Sequence, residues 1–139
     1  MPSGTMSWYT SQLTTIVEPP KLPSDLTSAA RLFQDCTALK HGAVIPQGVT
    51  NMESTYSGCT SLVSATIPQG VTTIESAFGS CSSLTQAPII PNSVVNMKWS
   101  FAGTSITQMP EIPNSVTDMT RAFDTCPLVN ITQIPSSVT

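Results

Sequence analysis

The stretch GVTTIESAFGSCSSL, residues 70–84, repeats the pattern of GVTNMESTYSGCTSL, residues 48–62, which lies 22 residues earlier and is identical at eight of the fifteen positions. Each copy has one carboxylate and no His, Lys or Arg. An uncharged unit at a fixed short period is typical of a repeat protein, because a single unit cannot bury its own apolar side. The copies on either side must cover it, and the fold therefore depends on how far the repeat extends.

The repeat extends through most of the chain as five units of 22 or 23 residues, each opened by an apolar residue and a proline. We call them coils one to five; they begin at Pro23, Pro46, Pro68, Pro91 and Pro113, and Pro135 opens a sixth. An apolar residue follows the proline after three and again after six residues, an aromatic after ten and a cysteine after thirteen. The aromatic column holds Phe33, Tyr56, Phe78, Phe101 and Phe123, and the thiol column holds Cys36, Cys59, Cys81 and Cys126, with Thr104 in coil four.

This period predicts a repeat solenoid, in which each unit forms one coil and neighbouring coils bury a shared stripe. We expect a leucine-rich-repeat-like right-handed superhelix, mostly β with short turns. Its one parallel sheet should contain the segments around Leu39, Leu62, Leu84, Ile106 and Leu128. Residues 1–21 would form an N-terminal segment with a worn partial coil, and residues 22–139 the five coils plus the start of a sixth.

Local chemistry adds three expectations. Inward-pointing strand residues should include Val44, Ile67, Ile89 and Ile131. Proline is expected at the second turn position, where its fixed φ fits, and Pro88 and Pro110 should shorten the strand ladder because they lack an N–H donor. Between turn and aromatic, the apolar spacing suits a helical or 3₁₀ turn as well as a second strand; we favour a short strand or an irregular turn.

Units of the form IPxxVTxMxxAFxxCxxLTxxPxIP, matched best by IPNSVTDMTRAFDTCPLVNITQIP at residues 112–135, resemble the bacterial surface leucine-rich repeats called BspA-like. The resemblance covers residues 22–139. It implies a leucine-rich repeat fold and a role in adhesion, surface display or protein binding, in bacteria or in phage-associated proteins. No catalytic residues come with it.

Composition narrows the function classes. Only 9% of the 139 residues are charged, against about 25% in ordinary soluble domains, so Ser, Thr, Asn and Gln must supply most of the polar surface. Such a surface suits an extracellular, cell-surface or virion-associated protein, which is the location that we expect. The net charge of −3 argues against nucleic acid as a partner, and no apolar run is long enough for membrane insertion. The start, MPSGTMSWYTSQL, lacks the pattern of a secretory signal, which leaves the export route open.

The chemistry-bearing residues favour no enzyme. Cys36, Cys59, Cys81 and Cys126 are spaced by 23, 22 and 45 residues, which is not the pairing of a zinc site, and we expect buried free thiols. His41 is the single histidine, and the carboxylates are scattered. We therefore predict no catalytic residues, no metal and no cofactor.

Two regions are candidates for contacts. The outward strand face would carry Thr85, Gln86, Thr107, Gln108 and Asn130, and Trp99 is a candidate contact anchor unless it folds back over Phe101 or Met97. Such a surface would suit an adhesive or receptor-binding module that binds a surface protein or a glycan on a bacterium or a phage fibre.

The other region is the solenoid ends, which show no polar cap. Apolar residues there are Trp8, Tyr9, Leu13, Ile16, Ile134 and Val138. Because an uncapped strand edge is a template for another chain, we expect homotypic contacts at the ends. The first functional prediction is accordingly a self-assembling structural subunit of an extracellular filament or surface assembly, and the adhesive module is the alternative.

Overall fold

A computed structural model describes residues 15–139, and the chain there winds as a stack of coils in which repeat-equivalent residues lie side by side. The described residues contain no α-helix and no continuous strand, and Thr15 lies in a 3₁₀ turn. Parallel pairing is limited to isolated bridges between neighbouring coils. The pairing between coils is parallel, as predicted, but in residues 15–139 it stays at isolated bridges and builds no sheet of continuous strands. The repeating coils are present, and the right-handed sense of winding stays a prediction.

Aromatic rings form the centre of the core. Rings of neighbouring coils stack at centroid distances of 5.3–5.7 Å from Phe33 through Phe123. The expected stacking of Phe78 on Phe101 is confirmed at 5.3 Å. Tyr56 is fully buried in this column because its hydroxyl oxygen accepts a hydrogen bond from Ala43 N at 2.9 Å, which satisfies the polar atom. Leu, Val, Ile and Met side chains of the other apolar columns surround the rings.

One polar column carries most of the bridges, and we call it the bridge column: Ser28, Asn51, Thr73, Asn96 and Asp118. Each of these side chains accepts a hydrogen bond from the backbone N–H two residues later, as Asn51 Oδ1 does from Glu53 N at 2.8 Å. Short side chains with an oxygen at this reach start a turn. The column therefore ends each short extended segment and begins the turn that follows.

That turn is the most regular part of the coil, and we call the stacked turns the turn ladder: residues 29–35, 52–58, 74–80, 97–103 and 119–125. Alternate N–H groups donate to the next coil, as Arg31 N does to Glu53 O at 2.8 Å and Phe33 N to Thr55 O at 2.8 Å. Two positions per coil have positive φ: Arg31, Ser54, Ser76, Trp99 and Arg121, then Asp35, Gly58, Ser80, Gly103 and Thr125. The segment left open in the sequence is thus an irregular turn after a single bridge.

The predicted strand face has fewer bonds than expected. Coil one pairs with coil two at His41 and Ser64, and coil four pairs with coil five at Gln108 and Asn130. In coil three, Thr85–Ala87 makes no hydrogen bond with the described residues. The expected interruption occurs beside Pro88, yet the pairing of coil four persists beside Pro110, so proline alone does not decide where the ladder breaks.

Two side-chain directions also differ from expectation. Val44 and Ile89 are 88% and 89% exposed, and the buried residues are Ile45 and Ile90, directly before the prolines. The expected alternation is interrupted there because these coils have one more residue between the leucine and the proline than coil two, where Ile67 is buried as predicted. Ile131 is 72% exposed because no following coil lies over it.

Proline occupies the first turn position rather than the second. Val49 N donates to Pro46 O at 3.2 Å, and the residue three after each other anchoring proline does the same. The first residue of a turn contributes only its carbonyl, so the missing N–H of proline costs nothing there. Gly70 has φ +102 at the third position of its turn, which requires a residue without a Cβ.

Candidate binding surfaces

The thiol column is a set of internal hydrogen-bond donors. Cys59 Sγ donates to Phe33 O at 3.0 Å and Cys81 Sγ to Tyr56 O at 3.1 Å, so each thiol bonds the aromatic residue of the preceding coil. Thr104 occupies the same column but donates to Phe101 O of its own coil at 2.8 Å, the carbonyl that Cys126 of the next coil also reaches. The position thus holds a short side chain with one donor, and sequence reasoning missed the bonds of the thiols because their acceptors lie in another coil.

Burial favours the protonated form of Cys36, Cys59 and Cys81 by raising the pKa of each thiol. Cys36, Cys59 and Cys81 are buried and unpaired; Cys126 is unpaired but, unlike the expectation, only partly buried. Burial, with a smaller contribution from the Asp35 charge, raises the pKa of Cys36 to about 11, and burial raises the pKa of Cys81 to about 12. Because the thiolate is the form that acts as a nucleophile or binds a metal, a raised pKa disfavours both roles for these buried thiols. Within residues 15–139, no cluster of His, Cys, Asp and Glu could hold a metal ion.

His41 has a partner, but not one that makes a catalytic site. Its Nδ1 lies 2.8 Å from Ser64 Oγ on the exposed strand face. No carboxylate among residues 15–139 hydrogen-bonds the ring to orient it, as a Ser–His–acid triad needs. The contact lies at the bridge between coils one and two and stabilises that cross-strand pair.

Coils three and four form a groove on the strand face. Thr85, Gln86, Thr107 and Gln108 line it together with Ala87, Met109 and Pro110, and its volume is about 430 Å³. Four of the residues predicted for a binding face therefore lie together, and Asn130 lies one coil further, paired with Gln108. We call this feature the strand-face groove.

Trp99 lies on a different side of the coil, in the turn ladder. It has φ +55 and is 37% exposed. Its ring packs against Arg121 of the following coil, whose Cζ lies 4.9 Å from the ring centroid. The residue is thus exposed, as one alternative held, but it does not belong to the strand face.

A trough of about 590 Å³ lies beside Trp99, and sequence reasoning missed it. We call it the Trp99 trough; its other lining residues are Ser57, Glu75, Ser76, Gly79, Ser80, Ala102, Gly103, Asp124 and Thr125. The available signal was the residue eleven after each proline, which changes from Gln34 to the smaller Ser57, Gly79 and Ala102 and then to Asp124. Small side chains in the middle coils leave the space.

The residues predicted for end contacts are only partly described. Trp8, Tyr9 and Leu13 lie outside the described residues, and Ile16 is partly buried against the core. Ile134 is 51% exposed, whereas Ile112, its equivalent one coil earlier, is 5% exposed. Val138 is partly buried and closes the turn at Pro135.

The fold and its columns define a leucine-rich repeat protein. The chain belongs to the BspA-type leucine-rich repeat family, whose model matches residues 26–139 in six copies. Proteins of this type are typically found at the bacterial surface.

Among solved structures, the chain is similar to a leucine-rich repeat protein from Bacteroides ovatus ATCC 8483, with 26% sequence identity and a TM-score of 0.68. The match covers 78% of this chain and 29% of that one, so the chain spans less than a third of that protein's length. No curated protein matches the sequence. In the described part of the chain, no helix has the length and apolarity to cross a membrane.

Proposed function

We propose that this chain is a non-catalytic interaction module of a bacterial surface or virion-associated protein, and that it binds a partner protein through the strand-face groove. The observation that carries the proposal is the break in backbone pairing at Thr85–Ala87. Coils one and two pair, and coils four and five pair, so the break is local. A surface segment with free N–H and C=O groups can pair with an extended segment of another chain.

The side chains of the groove suit this mode of binding. Thr85, Gln86, Thr107 and Gln108 each offer a donor and an acceptor, and no charged residue lines the groove. Hydrogen bonds rather than ion pairs would therefore select the partner, and we expect binding to change little with salt concentration.

The absence of catalysis is part of the proposal. Its support is the protonated state of the buried thiols and the lack of an orienting carboxylate at His41 within the described chain. The family membership supports an interaction or structural role.

The proposal is tested with peptides selected by display on the immobilised chain. We expect selected peptides to bind the unaltered protein and to lose at least tenfold in affinity on Gln86→Arg, because the long charged side chain would fill the groove. Thr72→Arg is the matched control, since Thr72 is exposed in the same coil but outside the groove. Equal binding to both variants, or a library that yields no peptide, would refute the proposal.

Homotypic stacking is the second candidate, and the exposure of Ile131 and Ile134 favours it. Their equivalents Met109 and Ile112 are buried under coil five, so a further coil would cover this apolar surface, whether it belongs to the same chain or to another copy. A head-to-tail contact between copies produces an open filament unless its rotation closes a ring.

Light scattering separates these cases. If copies stack, the 139-residue chain gives particles whose mass grows with concentration, and Ile134→Lys reduces them to monomers. An unaltered chain that stays monomeric at high concentration would rule out stacking and leave the groove proposal intact.

A further inference from the structure

Trp99 is a fixed aromatic surface at the edge of the Trp99 trough. Its N–H donates to Thr120 O at 2.9 Å and its carbonyl accepts from Ala102 N at 3.3 Å, so both backbone groups are bonded. Arg121 packs on the ring and is not among the residues that line the trough. The indole is thus held from one side by the next coil while part of its surface faces the trough.

The space in front of the ring is open because the neighbouring side chains are short. The two preceding coils have Ser54 and Ser76 in the column of Trp99. Gly79 and Gly103 lie among the lining residues and bring the backbone close to the surface. Because neighbouring coils are about 5 Å apart, two coils give the Trp99 trough a length of about 10 Å along the stack, which matches one sugar ring and the start of the next one.

Several polar side chains that line the Trp99 trough have no hydrogen-bond partner among the described residues. The hydroxyls of Ser57, Ser76, Ser80 and Thr125 and the carboxylate of Asp124 make no side-chain hydrogen bond with the described residues. Elsewhere in the same coils such groups are used internally, as Ser83 Oγ and Ser105 Oγ are, which donate to carbonyls of the preceding coil.

Two carboxylates lie at different coils of the trough. Glu75 belongs to coil three and is oriented by Asn96, whose Nδ2 donates to Glu75 Oε2 at 2.9 Å. Asp124 belongs to coil five and is exposed. Carboxylates are strong acceptors for hydroxyl donors, and two of them disfavour an anionic ligand.

We propose that the Trp99 trough is a saccharide-binding site for a neutral pyranose. The apolar C–H face of the sugar packs on the exposed indole, because the face of an aromatic ring is negative and C–H hydrogens are slightly positive. Sugar hydroxyls donate to Glu75 and Asp124 and accept from the serine hydroxyls. This combination of one flat apolar contact with a ring of acceptors fits a sugar better than an extended peptide, which would need paired backbone groups.

The test uses fluorescence of Trp99. The sequence has two tryptophans, so Trp8→Phe leaves Trp99 as the single tryptophan, which is excited selectively at wavelengths that tyrosine does not absorb. We expect a saturable change on titration with at least one of the neutral oligosaccharides of glucose, galactose, mannose and N-acetylglucosamine, with shifts of the Gly79 and Gly103 amide resonances. Acidic oligosaccharides and oligolysine serve as competing ligand classes.

Substitutions identify the site. Trp99→Ser should fold, because Ser54 and Ser76 hold the same positive φ in the same column, and should lose at least tenfold in affinity by amide titration. Ile89→Ser, which removes an exposed apolar side chain elsewhere, should bind normally.

Gln86→Arg should also bind normally, which separates this site from the strand-face groove. The proposal is overturned if no neutral oligosaccharide binds, if oligolysine or an acidic oligosaccharide binds in its place, or if Trp99→Ser binds as well as the unaltered chain.

Discussion

The hydroxyl of Ser100 is buried without a hydrogen-bond partner, and its removal in Ser100→Ala should stabilise the protein. Ser100 is fully buried and its Oγ has no hydrogen-bond partner. Its column has Ala77 in the preceding coil and Ala122 in the following one, both buried, so the position is shaped for alanine. We therefore expect Ser100→Ala to fit without rearrangement.

The magnitude follows from the cost of the unpaired group. A buried polar group without a partner destabilises the folded state by about 1–3 kcal/mol, and Ser100→Ala removes this cost. The substitution also removes the packing contacts of the oxygen atom, which offsets part of the gain. We expect a gain of about 1 kcal/mol in the free energy of unfolding, or about 3–5 °C in Tm for a chain of this size. Urea unfolding followed by circular dichroism measures it, with an unchanged slope m.

Thr55→Val is the matched control in the same column. Thr55 Oγ1 donates to Ala29 O at 2.9 Å, so the isosteric change removes a bond that is made and should cost about 1 kcal/mol. The two substitutions should thus have opposite signs. If Ser100→Ala destabilises as much as Thr55→Val does, the hydroxyl of Ser100 has a partner and the reasoning about this column is refuted.

Three further predictions concern the turns and the titrating groups. Gly58→Ala should lower the free energy of unfolding by about 1–2 kcal/mol, since Gly58 has φ +79 and an added Cβ would meet the Asp35 carboxylate. Gly48→Ala is the control and should lower it less, so equal urea midpoints for the two variants would contradict this prediction. Burial raises the pKa of Cys81 to about 12, so the contribution of this thiol to stability is complete below the unfolded value of 9.0 and is lost as pH rises toward about 12. Cys81→Thr, which replaces the thiol with a hydroxyl that does not titrate in this range, should flatten the alkaline loss seen in thermal melts. Backbone and hydroxyl hydrogen bonds from Thr120 lower the pKa of Asp118. The contribution of Asp118 to the free energy of unfolding is therefore present above the unfolded pKa of 3.8 and is lost as pH falls below it. Asp118→Asn should make this free energy depend less on pH in the acid range, and an unchanged acid profile would count against the turn-starting role of the bridge column.

The buried columns could be predicted from the sequence because the same contact is made in every coil. Phe78 needs a ring above and below it, and that requirement repeats at every tenth residue after a proline. The turn ladder could not be predicted, since its positive φ angles are held by Arg31, Ser54 and Trp99 rather than by glycine alone. Bonds to the next coil hold these residues in place, and such bonds leave no local sequence signal.

The sites differ in the same way. Thr85 and Gln86 were expected together with Thr107 and Gln108, because residues at equivalent positions of adjacent coils are neighbours. The opening between them depends on missing backbone bonds, which side-chain identity does not reveal. Trp99 was expected as a contact anchor, but the trough beside it was not, because the sequence did not show which residues of the neighbouring coils lie next to its ring.

Amide exchange and chemical-shift mapping of Thr85, Gln86 and Ala87 test the proposed binding mode most directly. In the free chain these three amides should exchange rapidly, because they donate to no group of the described chain. On addition of a display-selected peptide, they should show the largest shifts in the protein and exchange more slowly, because each N–H that pairs gains an acceptor. Shifts confined to the last coil or to the Trp99 trough, with unchanged exchange at Thr85–Ala87, would contradict the account.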